Sequence, residues 1–184
     1  EAHAFKGKQS GQHFTFIKLV ELRYDKVSIL ATRRGEYGYV WPAVGVGFRS
    51  MDLAYNCLAK GRFAFSAPAS FSIAEGGNLY YLMRGNFDDM LLSVETLDAV
   101  ATQLKADIDG FALPWIASIP NLPELVDRWC SQRGDRKIDQ FAEQYDINIV
   151  SGLLALNRSD EAGFSVWKPP EPGRLIPKEK CPRR

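Results

Sequence analysis

The first half of the chain alternates apolar and polar residues at every second position, the pattern of half-buried β-strands. Over residues 13–24 this alternation has Lys18 as its one exception. Asp25 and Lys26 then predict a tight turn, and the alternation resumes at Val27. The pattern therefore indicates an antiparallel pair of strands.

A third strand is predicted over residues 37–48, after a second turn at residues 34–36. Pro42 lies inside this strand and has no amide hydrogen to donate, so we expect an edge strand or an interruption at that point. The apolar spacing over residues 50–58 then predicts a short helix.

Several further strands are predicted before the middle of the chain. Two short ones flank Pro68, and the Gly-Gly-Asn sequence at residues 76–78 is typical of a turn. Residues 79–83 and 90–94 would complete an antiparallel sheet of five or six strands.

The second half of the chain changes to helical spacing. From an N-cap at Thr96, apolar residues recur three and four positions apart and predict one long helix with a continuous apolar stripe. The stripe consists of Leu97, Val100, Leu104, Ile108, Phe111, Trp115 and Ile119. Pro114 predicts a kink or a division of this helix.

Two more helices are predicted over residues 121–134 and 135–156, and Ser159 could cap a short fourth one. Strands followed by helices indicate the α+β class, an antiparallel sheet covered by three or four C-terminal helices. The predicted core residues are Leu104, Phe111, Trp115, Trp129, Phe141 and Leu153.

The length of 184 residues fits one domain. We expect a single α+β domain over residues 1–167. Residues 168–184 contain five prolines and an excess of basic residues, which predicts an extended tail. No apolar run is long enough to span a membrane.

Charge is spread unevenly although the net charge is only +1. Residues 1–87 carry a net +5, residues 88–161 a net −8 and residues 162–184 a net +4. Such asymmetry can steer charged partners, or it can simply reflect two solvated faces of opposite sign.

Catalytic motifs are sparse. The two histidines both lie near the N-terminus, and no nucleophile motif, phosphate loop or metal-binding spacing of cysteines occurs. Three cysteines without C-x-x-C spacing favour free thiols and a reducing compartment, so the cytoplasm is expected. We expect no cofactor and no metal, and the chain is predicted not to be an enzyme.

Two sets of residues are candidates for binding. Asp139, Glu143 and Asp146 recur at spacings of four and three, which places a row of carboxylates on one helical face. That row could meet a basic partner or could face solvent, and Asp107 and Asp109 resemble only a fragment of a calcium loop.

The second set combines arginines with alternating aromatic residues. Arg33, Arg34, Tyr37, Tyr39 and Trp41 could form a stacking platform for single-stranded nucleic acid. Their sequence is similar to the basic-Gly-aromatic strand motif of ribonucleoprotein domains, with Glu36 as an insertion. Ordinary packing of these aromatic residues on the sheet is the competing interpretation.

Four short motifs carry a resemblance to a known family. They are Ala-Val-Gly-Val-Gly-Phe at 43–48, Ala-Leu-Pro-Trp-Ile at 112–116, Ser-Gly-Leu-Leu-Ala-Leu at 151–156 and Asp-Glu-Ala at 160–162. Together they resemble domain of unknown function 4304, a bacterial family, over about residues 5 to 165. The resemblance implies an α+β fold and no known activity, and it suggests a protein-binding or immunity-like role.

Three functional hypotheses follow. The leading one is a non-enzymatic protein-binding module, in which the acidic helical half meets a basic partner. The first alternative is nucleic-acid binding through the basic sheet half, and the second is an enzyme that uses carboxylates and a metal.

Overall fold

A computed structural model describes residues 4–34, 37–59, 73–85, 90–93, 95–134 and 144–163. Its strands are β1 (Lys6–Ser10), β2 (His13–Val20), β3 (Arg23–Arg34), β4 (Tyr37–Phe48), β5 (Glu75–Asn78) and β6 (Met90–Leu92). Its α-helices are α1 (Arg49–Ala59), α2 (Leu79–Arg84), α3 (Leu97–Asp107), α4 (Leu113–Ser118), α5 (Leu122–Arg133) and α6 (Gln144–Ala155). An antiparallel sheet in the N-terminal half followed mainly by helices confirms the α+β class.

The chain divides into two compact units. The first comprises Glu1–Gly47 with Ile73–Ile119, and the second comprises Phe48–Ser72 with Pro120–Arg184. The sheet, α2, α3 and α4 belong to the first unit, and α1, α5 and α6 belong to the second. The single domain expected over residues 1–167 stays a prediction, and the proline-rich tail lies outside the described residues.

The sheet has the strand order β1-β2-β3-β4-β5, and β6 also pairs with β4. β1 was missed by the sequence prediction. All five of its residues are exposed, so the strand carries no apolar side to produce a visible alternation. Its pairing with β2 nevertheless runs from Lys6 opposite Ile17 to Ser10 opposite His13.

The turn between β2 and β3 lies four residues earlier than the predicted turn at residues 25–26, which is wrong. Val20 pairs with Arg23, so Glu21 and Leu22 form the turn. Glu21 adopts a positive φ of 54°, a conformation more typical of glycine or asparagine. Glu21 and Leu22 are not residues typical of turns, so the alternation of apolar and polar residues appeared to continue through them.

Pro42 marks a change of partner along one edge of β4. Residues 38–40 pair with β6 and residues 43–46 pair with β5, while β3 is the neighbour on the other side. The missing amide donor falls between the two pairings. β4 nevertheless runs unbroken from Tyr37 to Phe48 and is an interior strand, so the expected edge strand or interruption at Pro42 is wrong.

The segment around Asn78 was predicted incorrectly. Residues 76–78 belong to β5 and not to a turn, and residues 79–83 form α2 and not a strand. The Asn78 side chain accepts hydrogen bonds from the amides of Tyr80 and Tyr81, at 2.9 and 3.1 Å, and so caps the helix. This cap, together with Gly85 at a φ of 75°, fixes a helix that apolar alternation alone does not reveal.

The long predicted helix is divided by a π-helical turn at Ile108–Ala112. A π-turn adds one residue to the helical repeat and rotates everything after it. Ala112 and Ile116 are consequently buried, at 0% and 3% exposure, whereas the predicted core residues Phe111 and Trp115 are only half-buried. Both predictions of core position are therefore wrong.

Thr96 and Pro114, the residues predicted to cap and to divide the long helix, have other roles in part. α3 begins after Thr96 as predicted, but the Thr96 hydroxyl accepts a hydrogen bond from the Ser93 amide and does not cap the helix. Pro114 lies in the first turn of α4, where its missing amide donor is tolerated. The division of the helix is confirmed.

The second unit is built on α1, α5 and α6. The predicted helix at residues 50–58 is confirmed as α1, and the predicted core residues Trp129 and Leu153 are buried, as is Leu104 in the first unit. Residues 159–163 form turns and not the predicted fourth helix. Phe141 and the predicted strands beside Pro68 lie outside the described residues.

None of the helices within the described ranges is long and apolar enough to cross a membrane.

Candidate binding face of the sheet

Three lysines from two separate parts of the sequence lie on one face of the sheet. Lys6 of β1 is opposite Ile17 of β2, and Ile17 is opposite Lys26 of β3. Residues directly opposite each other in antiparallel strands project to the same face. Lys8 projects from the same face, because it lies two residues beyond Lys6 on β1. It is directly opposite Thr15 of β2.

No carboxylate projects from this face among the residues of β1–β4 that the structure describes. The described side chains of β1–β3 that project from it are Lys6, Lys8, Ser10, His13, Thr15, Ile17, Leu19, Tyr24, Lys26, Ser28, Leu30 and Thr32. Along the whole of β1–β4 there is one carboxylate, Asp25, and it lies on the opposite face. Arg23 donates a hydrogen bond to it at 2.8 Å. The lysines on this face thus have no acidic neighbour along these four strands.

Arg23 also explains why the opposite face is covered. Its Nη1 atom donates to the carbonyl oxygen of Ile119 at 2.8 Å, and its Nη2 atom donates to that of Ile116. These carbonyls belong to the last turn of α4 and the residue after it. The helix therefore packs over the Arg23 side of β3, away from Lys26.

The aromatic residues of β4 add a second kind of contact. Tyr37 is 51% exposed, and Tyr39 and Trp41 are partly exposed, whereas Val40 and Pro42 between them are buried. Alternation places the three aromatic residues on one side of β4. The sequence prediction that these three residues share a face agrees with this arrangement.

A cavity of about 260 Å³ connects the lysine face with the aromatic strand. It is lined by Lys26, Ser28, Ala43, Val44, Gly45, Ile73, Gly76 and Gly77. Ala43 follows Trp41 by two residues, and it lines the same cavity as Lys26. Over residues 25–28 of β3, Lys26 and Ser28 form the less buried side, whereas Asp25 and Val27 on the other side are buried, and the aromatic residues form the less buried side of β4. We therefore assign the aromatic side of β4 to the lysine face. We call this face the basic face, defined by Lys6, Lys8, Lys26, Tyr37, Tyr39 and Trp41.

Lys26 has the most unusual environment of the three lysines. Burial in the sheet lowers the pKa of its ammonium group, because a charge that is partly removed from water is destabilised. Among the described residues, no carboxylate lies within 4.0 Å of it to offset this effect. The cavity therefore contains a partly desolvated cation.

The predicted arginines do not both join the basic face. Alternation along β3 puts Arg33 on the side of Arg23 and Asp25, where it is exposed. Arg34 is the last residue of β3, and its side chain lies outside the described part of the structure. The predicted set of five residues is thus brought together only for Tyr37, Tyr39 and Trp41.

The acidic row is described at one position only. Asp146 lies in the first turn of α6 and forms an ion pair with Arg133 of α5, with Nε and Oδ1 separated by 3.5 Å. Both side chains are largely buried, so this carboxylate supports packing within the second unit. Asp139 and Glu143 lie outside the described residues.

Asp107 is a buried carboxylate at the end of α3. Its Oδ1 atom accepts a hydrogen bond from Gln103 at 2.8 Å, while Oδ2 has no hydrogen-bond partner. Burial, followed by the negative charge of Asp107, raises the pKa of Tyr80 to about 12. Asp109 instead pairs with Lys105 at the surface, so the two carboxylates do not form a calcium loop.

Within the ranges that the structure describes, no group of three or more histidine, cysteine, aspartate or glutamate side chains could hold a metal ion. The described residues therefore provide no site that supports the hypothesis of a carboxylate- and metal-dependent enzyme. It stays a prediction.

Sequence reasoning missed the lysine part of the basic face. β1 lacked an apolar pattern, and Lys26 was assigned to a turn, so neither was placed in the sheet. One signal could have found them, namely the scarcity of acidic residues over 2–20 and 26–48, where Glu36 is the only one.

Comparison of the chain with known proteins gives no information about its function. No family model, no curated protein and no solved structure matches the chain. The resemblance to domain of unknown function 4304 and its suggested bacterial, immunity-like role stay predictions. Any function must therefore be argued from the basic face itself.

Proposed function

We propose that this protein binds single-stranded nucleic acid on the basic face. The observation that carries the proposal is a sheet face on which lysines and partly exposed aromatic residues occur without a carboxylate among the described residues of β1–β4. Lysines contribute attraction to backbone phosphates, and aromatic rings stack on bases whatever the sequence.

The geometry suits an extended strand. Neighbouring β-strands are about 4.8 Å apart, so Lys6 and Lys26, two strands apart, are separated by about 10 Å across the sheet. Tyr37, Tyr39 and Trp41 follow one another at about 7 Å along β4. A single strand that crosses the sheet would meet both phosphate contacts and stacking surfaces.

Nucleic-acid binding is favoured here over the protein-binding hypothesis. The acidic row that motivated a basic protein partner is described only at Asp146, which pairs with Arg133. The basic face, by contrast, brings together residues from three parts of the sequence. The protein-binding module stays a prediction. We propose a cytoplasmic location for either role, since Cys130 is a free thiol.

The direct test is fluorescence anisotropy with a labelled oligothymidine of about 15 nucleotides, a length within the usual site sizes. We expect binding in about 50 mM salt, with log K falling linearly as log salt rises. The double variant Lys6→Gln/Lys8→Gln should reduce the magnitude of that slope by about 1.4, which corresponds to two phosphate contacts. Trp41→Leu should weaken binding by about 1–3 kcal/mol.

Lys18→Gln is the matched control. Lys18 lies on β2 and projects from the face opposite to Lys6 and Lys8. Lys18→Gln removes one positive charge from the same sheet, half of what the double variant removes, and it should leave the salt slope nearly unchanged. Absence of binding in about 50 mM salt, or equal effects of the Lys18 and Lys6/Lys8 variants, would reject the proposal.

A further inference from the structure

The cavity beside Lys26 has features that extended binding of a nucleic-acid strand does not explain. It lies at the junction of β3, β4 and β5, and it is enclosed on one side by Ile73. No aromatic residue is among the described residues that line it. Its volume of about 260 Å³ equals the space of several water molecules, enough for a small ligand.

Glycines give the cavity its shape. A Cβ atom on Gly45 would lie 2.7 Å from Cγ2 of Ile73, and one on Gly76 would collide with the carbonyl oxygen of Val44. Both positions therefore require glycine for β4 and β5 to pack as they do. The consequence is a wall made largely of backbone and small side chains, which leaves Lys26 and Ser28 as the polar side chains that line it.

The two polar side chains lie next to each other. Lys26 and Ser28 are two residues apart on β3, so they project from the same face about 7 Å apart. Both are half-buried. The ammonium group can supply charge and the hydroxyl can donate a hydrogen bond, a combination that suits an oxyanion.

We infer that this cavity is a binding site for a small oxyanion, the phosphate or carboxylate group of a compact ligand, held by Lys26 and Ser28. A bound oxyanion would supply the negative charge that no described side chain places beside Lys26. The remaining lining of Ala43, Val44 and Ile73 would contact an apolar part of the same ligand. This site does not rest on nucleic-acid binding, because it needs neither the aromatic residues nor Lys6 and Lys8.

The experiment measures the rise in melting temperature and the Kd for inorganic phosphate and for acetate, each against chloride at equal ionic strength. The variant Lys26→Met keeps the length of the side chain and removes its charge. We expect phosphate or acetate to stabilise the natural protein more than chloride does. We expect Lys26→Met to weaken that binding at least about tenfold, which corresponds to 1.4 kcal/mol.

Three further variants distinguish a binding site in the cavity from general attraction between the anion and the positive charges of the sheet. Lys8→Met removes a lysine from the same face but away from the cavity, and it should change the Kd less than about twofold, or roughly 0.4 kcal/mol. Ala43→Leu fills the cavity without changing charge, and it should abolish the effect of the anion. Lys26→Arg should retain part of it.

The binding results can either support or overturn the proposed oxyanion site. Stabilisation by phosphate alone, or by acetate alone, identifies which oxyanion the site takes. Equal effects of Lys26→Met and Lys8→Met would overturn the inference, and so would binding that survives Ala43→Leu. Because the probes are small ions, a protein that fails to bind oligothymidine can still pass this test.

Discussion

Lys26 shows how one residue in the middle of a sheet can oppose folding and serve binding. Its ammonium group is partly removed from water, and no described carboxylate offsets the cost. Charged residues in such positions usually persist because a partner stabilises them. In the absence of a ligand, the residue should therefore be a local source of instability.

Replacing this residue should stabilise the protein. The pKa of Lys26 in the folded state lies below its ordinary value of 10.5, because burial destabilises the charged ammonium group in the folded protein. As pH rises through the folded pKa, the folded state loses its proton first and its stability increases relative to the unfolded state. We therefore expect Lys26→Met to raise the free energy of unfolding near neutral pH.

The advantage of that variant should shrink as pH approaches about 10. Urea unfolding at the two pH values measures the effect, and Lys8→Met, which changes an exposed lysine, is the control. A stability difference that does not depend on pH would contradict this explanation.

Arg23 is the residue that joins α4 to the sheet. Its guanidinium group donates to Asp25 and to the carbonyl oxygens of Ile116 and Ile119. Removing it would leave a buried carboxylate and two carbonyl groups without this donor.

We expect Arg23→Leu to lower the free energy of unfolding by about 2–4 kcal/mol, since charged hydrogen bonds in partly buried sites are lost. Denaturant unfolding measures this. Lys105→Met is the matched control, because it breaks an exposed ion pair with Asp109 and should change stability little. Equal effects of the two variants would show that Arg23 does not secure the helix.

At the scale of elements, α5 and α6 pack closely because α6 carries a glycine at the contact. A Cβ atom at Gly152 would collide with Cγ2 of Val126, and Trp129 lies 3.6 Å away. Valine is stiff about its first side-chain torsion, so it cannot easily move aside. Glycine costs helix propensity at this position but allows the close approach.

Gly152→Ala should therefore destabilise the protein by about 1–3 kcal/mol despite the better helix propensity of alanine. Thermal unfolding is the measurement. Gly110→Ala in the π-helical turn is the opposite case, because its Cβ would meet nothing within 4 Å. That control should be neutral or slightly stabilising, and a gain in stability for Gly152→Ala would refute the packing argument.

Helical spacing predicted where the C-terminal helices lie better than it predicted which residues they bury. Leu104 precedes the π-helical turn and is buried as predicted. From the end of the turn onward, Ala112 and Ile116 are buried in place of Phe111 and Trp115, whereas Ile119, which follows α4, is buried as predicted. No local residue pattern announces such an insertion, because a π-turn is stabilised by the packing of the helix as a whole.

At the scale of the whole molecule, pairing of the strands decides where the positive charges of the N-terminal half lie. The N-terminal half carries a net +5. Strand pairing separates its lysines and arginines between two faces, with Lys6, Lys8 and Lys26 on one and Arg23 with Asp25 on the other. The net charge of a segment could not predict this division, since it depends on register.

The sequence by itself determined the α+β class, the third strand, a division of the long helix near Pro114 and the burial of Leu104, Trp129 and Leu153. These follow from periodicity and from proline chemistry, which act over a few residues. Only the tertiary structure decided the positions of β1 and the first turn, and with them the basic face. An exposed edge strand and a turn built on Glu21 are stabilised by pairing with neighbouring strands, and that pairing joins residues that the sequence keeps about twenty positions apart.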